Sequence, residues 1–204
     1  MQVIVITPDI EVYNEVEIIN ELFIIGLNSL SLRKTSYNEH ELAAYIQSID
    51  KQYHSRITIH NHYQLCNEFD LRGIHLSSFA REDPNTCGIV TKWQPKSVST
   101  SFHSWEEIGN NVYPYSYVFI SPVFDSISKQ GYKANIDLQQ ATATRNHCRS
   151  LQGYCPQIIG LGGVNDGNIG LLRKNGFDGA AVLGAVWKAA DPVSSFIEII
   201  AAIS

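Results

Sequence analysis

The 204-residue sequence predicts a minimal (β/α)8 barrel, read as one domain over residues 1–204. Three observations carry that expectation. Short apolar runs rich in Val and Ile alternate with polar or glycine-containing turns and with amphipathic stretches of helical length, the pattern of βα units on a parallel sheet. Within several runs the polar side chains keep a period of two, so one strand face can be apolar and the other polar. Glycine clusters follow the seventh and eighth runs, where barrels of this kind let backbone N–H groups approach a ligand.

The strand candidates are VIVIT (3–7), LSLRK (30–34), RITIH (56–60), GIHLS (73–77), SVSTS (97–101), YVFIS (117–121), QIIGL (157–161) and GAAVL (179–183). Their β-branched content suits a pleated, buried surface. NEHELAAYIQSID (38–50), HSWEEIGNNV (103–112), LQQATATRNHCRSL (138–151), NIGLLRKNG (168–176) and PVSSFIEIIAAI (192–203) have helical length and spacing between them. SFAREDPNTCGIVTKWQPK (78–96) holds Pro84, Gly88 and Pro95, so the barrel helix after strand four should be short or irregular. An open doubly wound sheet has the same local pattern; the resemblance described below is what sharpens the choice.

Apolar residues at 44% and charged residues at 17% are ordinary for a soluble globular chain, and a formal net charge of -5 gives no electrostatic footprint for nucleic acid or an acidic membrane. MQVIVITPDI lacks a basic region followed by a long apolar core, and no stretch has the apolar length of a bilayer span. A cytoplasmic protein is the expectation. Cys66, Cys87, Cys148 and Cys155 show neither C-x-x-C nor zinc-ribbon spacing, so free thiols are expected rather than a disulfide framework or metal cluster.

Strand parity gathers the polar candidates. Leu30 and Leu32 share one face and leave Ser31 and Arg33 on the other. Ile57 and Ile59 alternate against Thr58, His60 and His62; Val98, Thr100 and Phe102 alternate against Ser97, Ser99, Ser101 and His103. Arg33, His60, Ser101 and His103 therefore aim at one volume at strand C-termini, the face where barrel active sites are built. Alone, the arginine reads as an ion-pair member and each histidine as a hydrogen-bonded packing residue; their convergence makes a site. In FISPVFDSISKQGY (119–132), Ser126, Ser128 and Lys129 offer two hydroxyls and an ammonium to an anion where a strand runs out. Gly162 and Gly163 in IIGLGGVNDGNI, and Leu183 and Gly184 in GAAVLGAV, supply backbone N–H groups for the same anion. A different reading pairs His60 with His62 as H-x-H, with His75 on the next strand, as the start of a metal-hydrolase site. That reading lacks further ligands in register at later strand ends.

Over nearly the whole chain these segments resemble the thiamine phosphate synthase and TenI superfamily. LSLRK, ITIHNHYQLC, GIHLSS, STSFHS, PVFDSISK, IGLGGV and DGAAVLGAV stand in the family's order. The resemblance implies a TIM barrel that binds the phosphate of hydroxyethylthiazole phosphate and takes part in vitamin B1 biosynthesis. Arg33 matches the family arginine of strand two and Ser101 the serine after strand five. Ser126, Ser128 and Lys129 match its T-x-T-K segment, Gly162 and Gly163 its I-G-G turn, and Leu183 and Gly184 its last phosphate-binding backbone. His60 and Asn61 stand where synthases carry an Asn-Asp pair. In a synthase, a magnesium-bound pyrimidine diphosphate loses pyrophosphate and the thiazole nitrogen captures the pyrimidine. Here Ser31 and Thr35 replace the family glutamine and lysine, with Lys34 next door, and Ala80 stands where an aspartate is expected, Glu82 and Asp83 being the nearby carboxylates. Magnesium prefers hard, anionic oxygen ligands.

The TenI branch, thiazole phosphate tautomerases, has the same losses and needs no metal and no cofactor. It needs a phosphate clamp and an acid/base, for which His103 matches the family histidine. The expectation is a TenI-like tautomerase, with a divergent, magnesium-dependent synthase as the alternative and a non-catalytic thiazole phosphate-binding regulator as a third reading. The partners implied are a phosphorylated thiazole and, for the synthase, a pyrimidine diphosphate; a homo-oligomer is left open.

Overall fold

The computed structural model describes residues 1–83, 85–125 and 134–203, the side chains of Cys87 and Ile89 excepted. Eight parallel strands run in chain order: β1 (Gln2–Ile6), β2 (Ser29–Leu32), β3 (Ile57–Ile59), β4 (Gly73–Leu76), β5 (Val98–Phe102), β6 (Tyr117–Ile120), β7 (Gln157–Leu161) and β8 (Gly179–Val182). Each pairs with the next, and β8 returns to β1 with Val3 opposite Ala180, so the sheet is a closed barrel. The expected (β/α)8 barrel is the observed architecture.

The helices are α1 (Glu15–Ile24), α2 (Glu39–Ser48), α3 (Leu65–Glu68), α4 (Ser78–Glu82), α5 (Thr86–Trp93), α6 (Trp105–Asn110), α7 (Gln140–Gln152), α8 (Ile169–Lys174), α9 (Gly184–Trp187) and α10 (Pro192–Ala201). Local chemistry sets several ends. Asn38 and Glu41 close a capping box on α2, and Asp191 caps α10 with Pro192 at its first position. The irregular interval after β4 resolves into two short helices, α4 and α5, with the Pro84 of the sequence falling between them. The β3–β4 connection is a single turn, α3, too short to give a periodic signal.

Alternation divides the strand residues into two packed layers. Val3, Val5, Leu30, Leu32, Ile57, Ile59, Ile74, Leu76, Val118, Ile120, Ile158 and Val182 face outward and join the main core under the helices. Each such buried aliphatic side chain contributes about 1.5–3 kcal/mol of transfer free energy. Ile4, Ile6, Tyr117, Phe119, Ile159 and Ala181 face inward and make a second cluster, with Leu161 and Leu183 packed on it. The other inward positions are polar: Ser29, Ser31, Thr58, His75 and Ser99 are all buried. The barrel lumen thus has an apolar wall from β6, β7, β8 and β1, and a polar wall from β2 to β5. Tyr117 bridges the two by donating its hydroxyl hydrogen to Thr58 Oγ1 at 3.4 Å.

Candidate functional site

The polar wall is built as a ladder of hydroxyls and imidazoles. Ser31 Oγ lies 2.7 Å from His60 Nε2. The His60 ring leans on His75 with centroids 4.4 Å apart, and His75 leans on Phe119 at 5.0 Å. His75 reaches two serines of β5, Ser99 Oγ from Nδ1 at 2.9 Å and Ser101 Oγ from Nε2 at 3.1 Å. Removal from water favours the neutral form of both rings. Burial first, and the Arg33 guanidinium second, bring the His60 pKa down to about 3. His75 is pushed well below the ordinary 6.5 by burial, then by His60 and Arg33.

Arg33 stands at the mouth just past β2, its backbone N–H donating to Thr7 Oγ1 at 2.8 Å. Its guanidinium meets Asp9 Oδ2 at 2.9 Å, and 43% of the side chain remains exposed. Asp9 also accepts from the backbone N–H and hydroxyl of Thr35 at 3.0 and 2.9 Å. The carboxylate that orients Arg33 thus comes from the β1–α1 loop, where no periodicity marks it.

His103 follows β5 on the same rim and is exposed. Its Nδ1 sits 3.1 Å from the carbonyl of Ser121, so that nitrogen carries the hydrogen and donates it, leaving Nε2 as the basic nitrogen of the neutral ring. Among the described residues Nε2 makes no hydrogen bond. The backbone N–H of His103 donates to Glu107 Oε2 at 2.6 Å, while the Ser104 hydroxyl caps the start of α6. The ring is therefore held at the helix entry yet open to solvent.

The glycine turn after β7 is held on both sides. Gly162 and Gly163 have φ of +100° and +68°, a region that penalises side chains. A methyl on Gly163 would lie 2.5 Å from the Asp125 carbonyl oxygen, and one on Gly162 would lie 2.9 Å from Pro122 Cβ. Asn168 ties the turn by donating from Nδ2 to the Gly163 carbonyl at 2.8 Å and accepting from Asn165 N–H at 2.9 Å. Leu183 caps α9, and Gly184 is its first residue. The Trp187 indole fastens α9 to β1 by donating to the Ile6 carbonyl at 2.8 Å.

Arg33, His60, Ser101, His103, Gly162, Gly163, Leu183 and Gly184 all lie at or just beyond the C-terminal ends of parallel strands, on one end of the barrel. Ser126, Ser128 and Lys129 lie outside the described residues. Asn61 follows His60 at the same strand end, with its Nδ2 donating to the Lys34 carbonyl at 3.2 Å and its buried Oδ1 without a partner among the described residues. The H-x-H pairing is corrected. β3 ends at Ile59, His62 takes φ +48°, and its Nε2 sits 2.9 Å from the Tyr37 carbonyl, away from His60. His75, not His62, is the neighbour of His60. Asp9, His75 and Asn168 are the site-shaping residues that sequence reasoning left out of its site.

The magnesium implied by the synthase resemblance meets a poor donor set. Asn61 is neutral and tied to the β2–α2 loop, and Ala80 has no donor. Glu82 is 76% exposed beside Arg81, and Asp83 is used by the N–H groups of Asn85. Lys34 is turned away from the mouth into a buried pair with Glu15. These residues do not fit the ion.

Comparison with known proteins agrees with this architecture. The model of the thiamine monophosphate synthase family, which includes TenI, matches residues 3–186. A thiamine-phosphate synthase of Bacillus licheniformis is 26% identical over 151 residues, 74% of this chain and 64% of that protein, less than two thirds of its length. One from Listeria welshimeri is 26% identical over 161 residues, 78% of this chain and 74% of that protein. The crystal structure of thiamine phosphate pyrophosphorylase from Bacteroides thetaiotaomicron superposes with a TM-score of 0.78 at 30% identity, covering 100% of this chain and 98% of the other. The pyrophosphorylase of Pyrococcus furiosus, at 19% identity and a TM-score of 0.79, shares the fold. The chain belongs to the thiamine monophosphate synthase family.

Proposed function

We propose that this chain works in thiamine biosynthesis on a hydroxyethylthiazole phosphate, and that its reaction is a metal-free proton shift, the TenI-type tautomerisation. The observation that carries the reading is His103: an open imidazole on the rim whose Nδ1–H is spent on the Ser121 carbonyl, leaving Nε2 to take and return a proton. The phosphate is assigned to the backbone at Gly162, Gly163, Leu183 and Gly184, with Ser126, Ser128 and Lys129 contributing. Arg33, kept in place by Asp9, adds positive charge at the end of β2, two strands from β8 around the barrel. A tautomerisation moves a proton within one molecule and expels no diphosphate, so it makes no demand for carboxylates at positions 61 and 80.

The second reading is the synthase, and the names of the relatives favour it over the tautomerase. It joins a pyrimidine diphosphate to the thiazole phosphate. Against it stands the donor set of Asn61 and Ala80, which would leave a magnesium diphosphate poorly neutralised. Two incubations separate the readings. One offers the protein the thiazole phosphate carboxylate tautomer; the other offers pyrimidine diphosphate and thiazole phosphate with magnesium. Conversion of the tautomer in the presence of EDTA supports the first reading. Robust, EDTA-sensitive thiamine phosphate formation overturns it in favour of the second, and tight binding without turnover in either would mark a regulator.

A further inference from the structure

The start of α6 carries a capping box that has slipped by one residue. On α2 the box is ordinary: the N–H of Glu41 donates to Asn38 Oδ1 at 3.0 Å, and Glu41 Oε2 accepts from the N–H of Asn38, the cap residue itself, at 2.8 Å. On α6 the first half is the same, with the N–H of Glu107 donating to Ser104 Oγ at 3.1 Å. The second half differs. Glu107 Oε2 passes over the cap residue and accepts from the N–H of His103 at 2.6 Å.

The strand ladder explains why that N–H lacks another partner. The last residue pair that β5 makes with β4 is Thr100 with Leu76, and the last with β6 is Phe102 with Ile120. His103 lies beyond both, so no strand receives its N–H. Its ring is exposed and bonds to Ser121 through Nδ1 alone. An exposed imidazole held by one ring nitrogen keeps its direction only while the backbone beneath it stays still. The carboxylate of Glu107 fixes that backbone with a charge-assisted bond, and the Ser121 contact then fixes the ring torsion.

We propose that Glu107 is a positioning residue: by accepting from the N–H of His103 instead of that of the cap, it holds the imidazole in place on the rim, and it acts as a hydrogen-bond acceptor, not as a charge. The catalytic part of this role rests on the proposed proton transfer by His103; the bond does not.

The test compares the parent with Glu107→Ala, Glu107→Gln and a matched control, Glu41→Ala, which removes the corresponding bond from α2. Gln keeps an oxygen in the place of Oε2 and loses the charge. In the intact protein labelled with 15N-histidine, the backbone amide of His103 is identified by its loss in His103→Ala. It should exchange with solvent about tenfold faster in Glu107→Ala than in the parent, and within about threefold of the parent in Glu107→Gln. Equal exchange in the parent and Glu107→Ala would show that the bond does not hold the backbone, and would overturn the proposal. With the thiazole phosphate carboxylate tautomer as substrate, kcat should fall about 10–10²-fold in Glu107→Ala with KM within about threefold, and Glu107→Gln should return kcat to within about threefold of the parent. Glu41→Ala should lose stability in urea and keep the parent's kcat. An undiminished kcat in Glu107→Ala would reduce Glu107 to a helix cap. A fall as deep in Glu107→Gln would make the charge the cause, and one as deep in Glu41→Ala a general loosening; each of the three overturns the proposal. If His103→Ala turns over at the parent's rate, the proton-transfer reading fails and the catalytic role of Glu107 with it, while the exchange result still decides the bond.

Discussion

Glu15→Gln is expected to destabilise the protein far more than an ordinary substitution at a helix start. Lys34 is fully buried and Glu15 only 5% exposed, with Nζ and Oε2 2.7 Å apart. The ammonium also donates to the Ile10 carbonyl at 3.0 Å and lies 5.8 and 5.5 Å from the rings of Tyr37 and Tyr45. Such a pair cannot be replaced by water. Removing one partner strands the other charge, at a cost of about 3–5 kcal/mol. Gln keeps a carbonyl oxygen within reach of Nζ, so the lower end applies; Glu15→Leu keeps nothing, and the upper end applies. In a chain of this size 1 kcal/mol moves Tm by about 2–4 °C, so the single variants should melt roughly 6–20 °C below the parent.

Removing both charges should restore most of the loss, because a well-packed apolar pair in place of a buried ion pair is close to neutral. Urea unfolding followed by circular dichroism on the parent, Glu15→Leu, Lys34→Met and the double variant closes the cycle. Added salt should leave the coupling nearly unchanged, since solvent ions do not reach it. Single variants within about 1 kcal/mol of the parent, or a double variant as unstable as the sum of the singles, would refute the reasoning. The effect should reach the mouth as well, since the Lys34 carbonyl receives Asn61 Nδ2 and Arg33 is the preceding residue.

His103→Ala should lower the tautomerisation rate by about 10²–10⁴ while calorimetric affinity for thiazole phosphate stays within a few-fold of the parent; an undiminished rate removes His103 from the chemistry. Gly163→Ala forces a side chain to φ +68° and to within 2.5 Å of the Asp125 carbonyl. It should cost about 1–3 kcal/mol in urea unfolding and weaken phosphate binding, and a variant equal to the parent in both would contradict the turn's assignment. Stability should also fall in acid. His60, with its pKa near 3, and His75, lowered well below the ordinary value, stay neutral when folded, whereas unfolded rings titrate near 6.5. Above that pH neither ring matters; below it the unfolded chain binds protons that the folded one refuses, so stability drops by up to about 1.4 kcal/mol per pH unit per ring until the folded rings protonate. A urea midpoint that does not fall between about pH 7.5 and pH 4.5, or one whose fall His60→Gln leaves as steep, would count against it.

Parity carried the reading wherever a residue sits inside a strand. Ser31, Thr58, Ser99 and Ser101 face the lumen because their neighbours Leu30, Leu32, Ile57, Ile59, Val98 and Phe102 face the helices. The same rule applied to GIHL sets His75 against Ile74 and Leu76 and turns it into the lumen beside His60, where the sequence reading named it only as a metal-ligand candidate. Parity failed at His62 because the strand had already ended at Ile59 and the backbone turned left-handed. Asp9 and Glu15 were invisible for another reason. They reach Arg33 and Lys34 across 24 and 19 positions of sequence, and only closure of β1 beside β2 brings them together. The glycines of IGLGGV were legible as a special turn, but half of their cause lies in the β6 loop that presses on them.

The division of the lumen also says how one mouth can treat two ends of a ligand differently. On β6, β7, β8 and β1 the inward side chains are apolar, so the polar groups at those strand ends are backbone groups and the residues of the loops. Backbone N–H groups at a glycine turn suit an anion and carry no proton that can be lost. On β2 to β5 the inward groups are hydroxyls, imidazoles and Arg33, which can orient a ring and move protons but offer no buried carboxylate to a divalent cation. A molecule with a phosphate at one end and a heteroaromatic ring at the other meets complementary chemistry across that boundary in one orientation only. If the phosphate were instead held by Arg33 and His60, the neutral His60 would add no charge to hold it. The asymmetry of the two walls, more than any single residue, is what supports the proposed placement of a phosphate over β7 and β8 and of a ring on the side of β5, the strand that His103 follows.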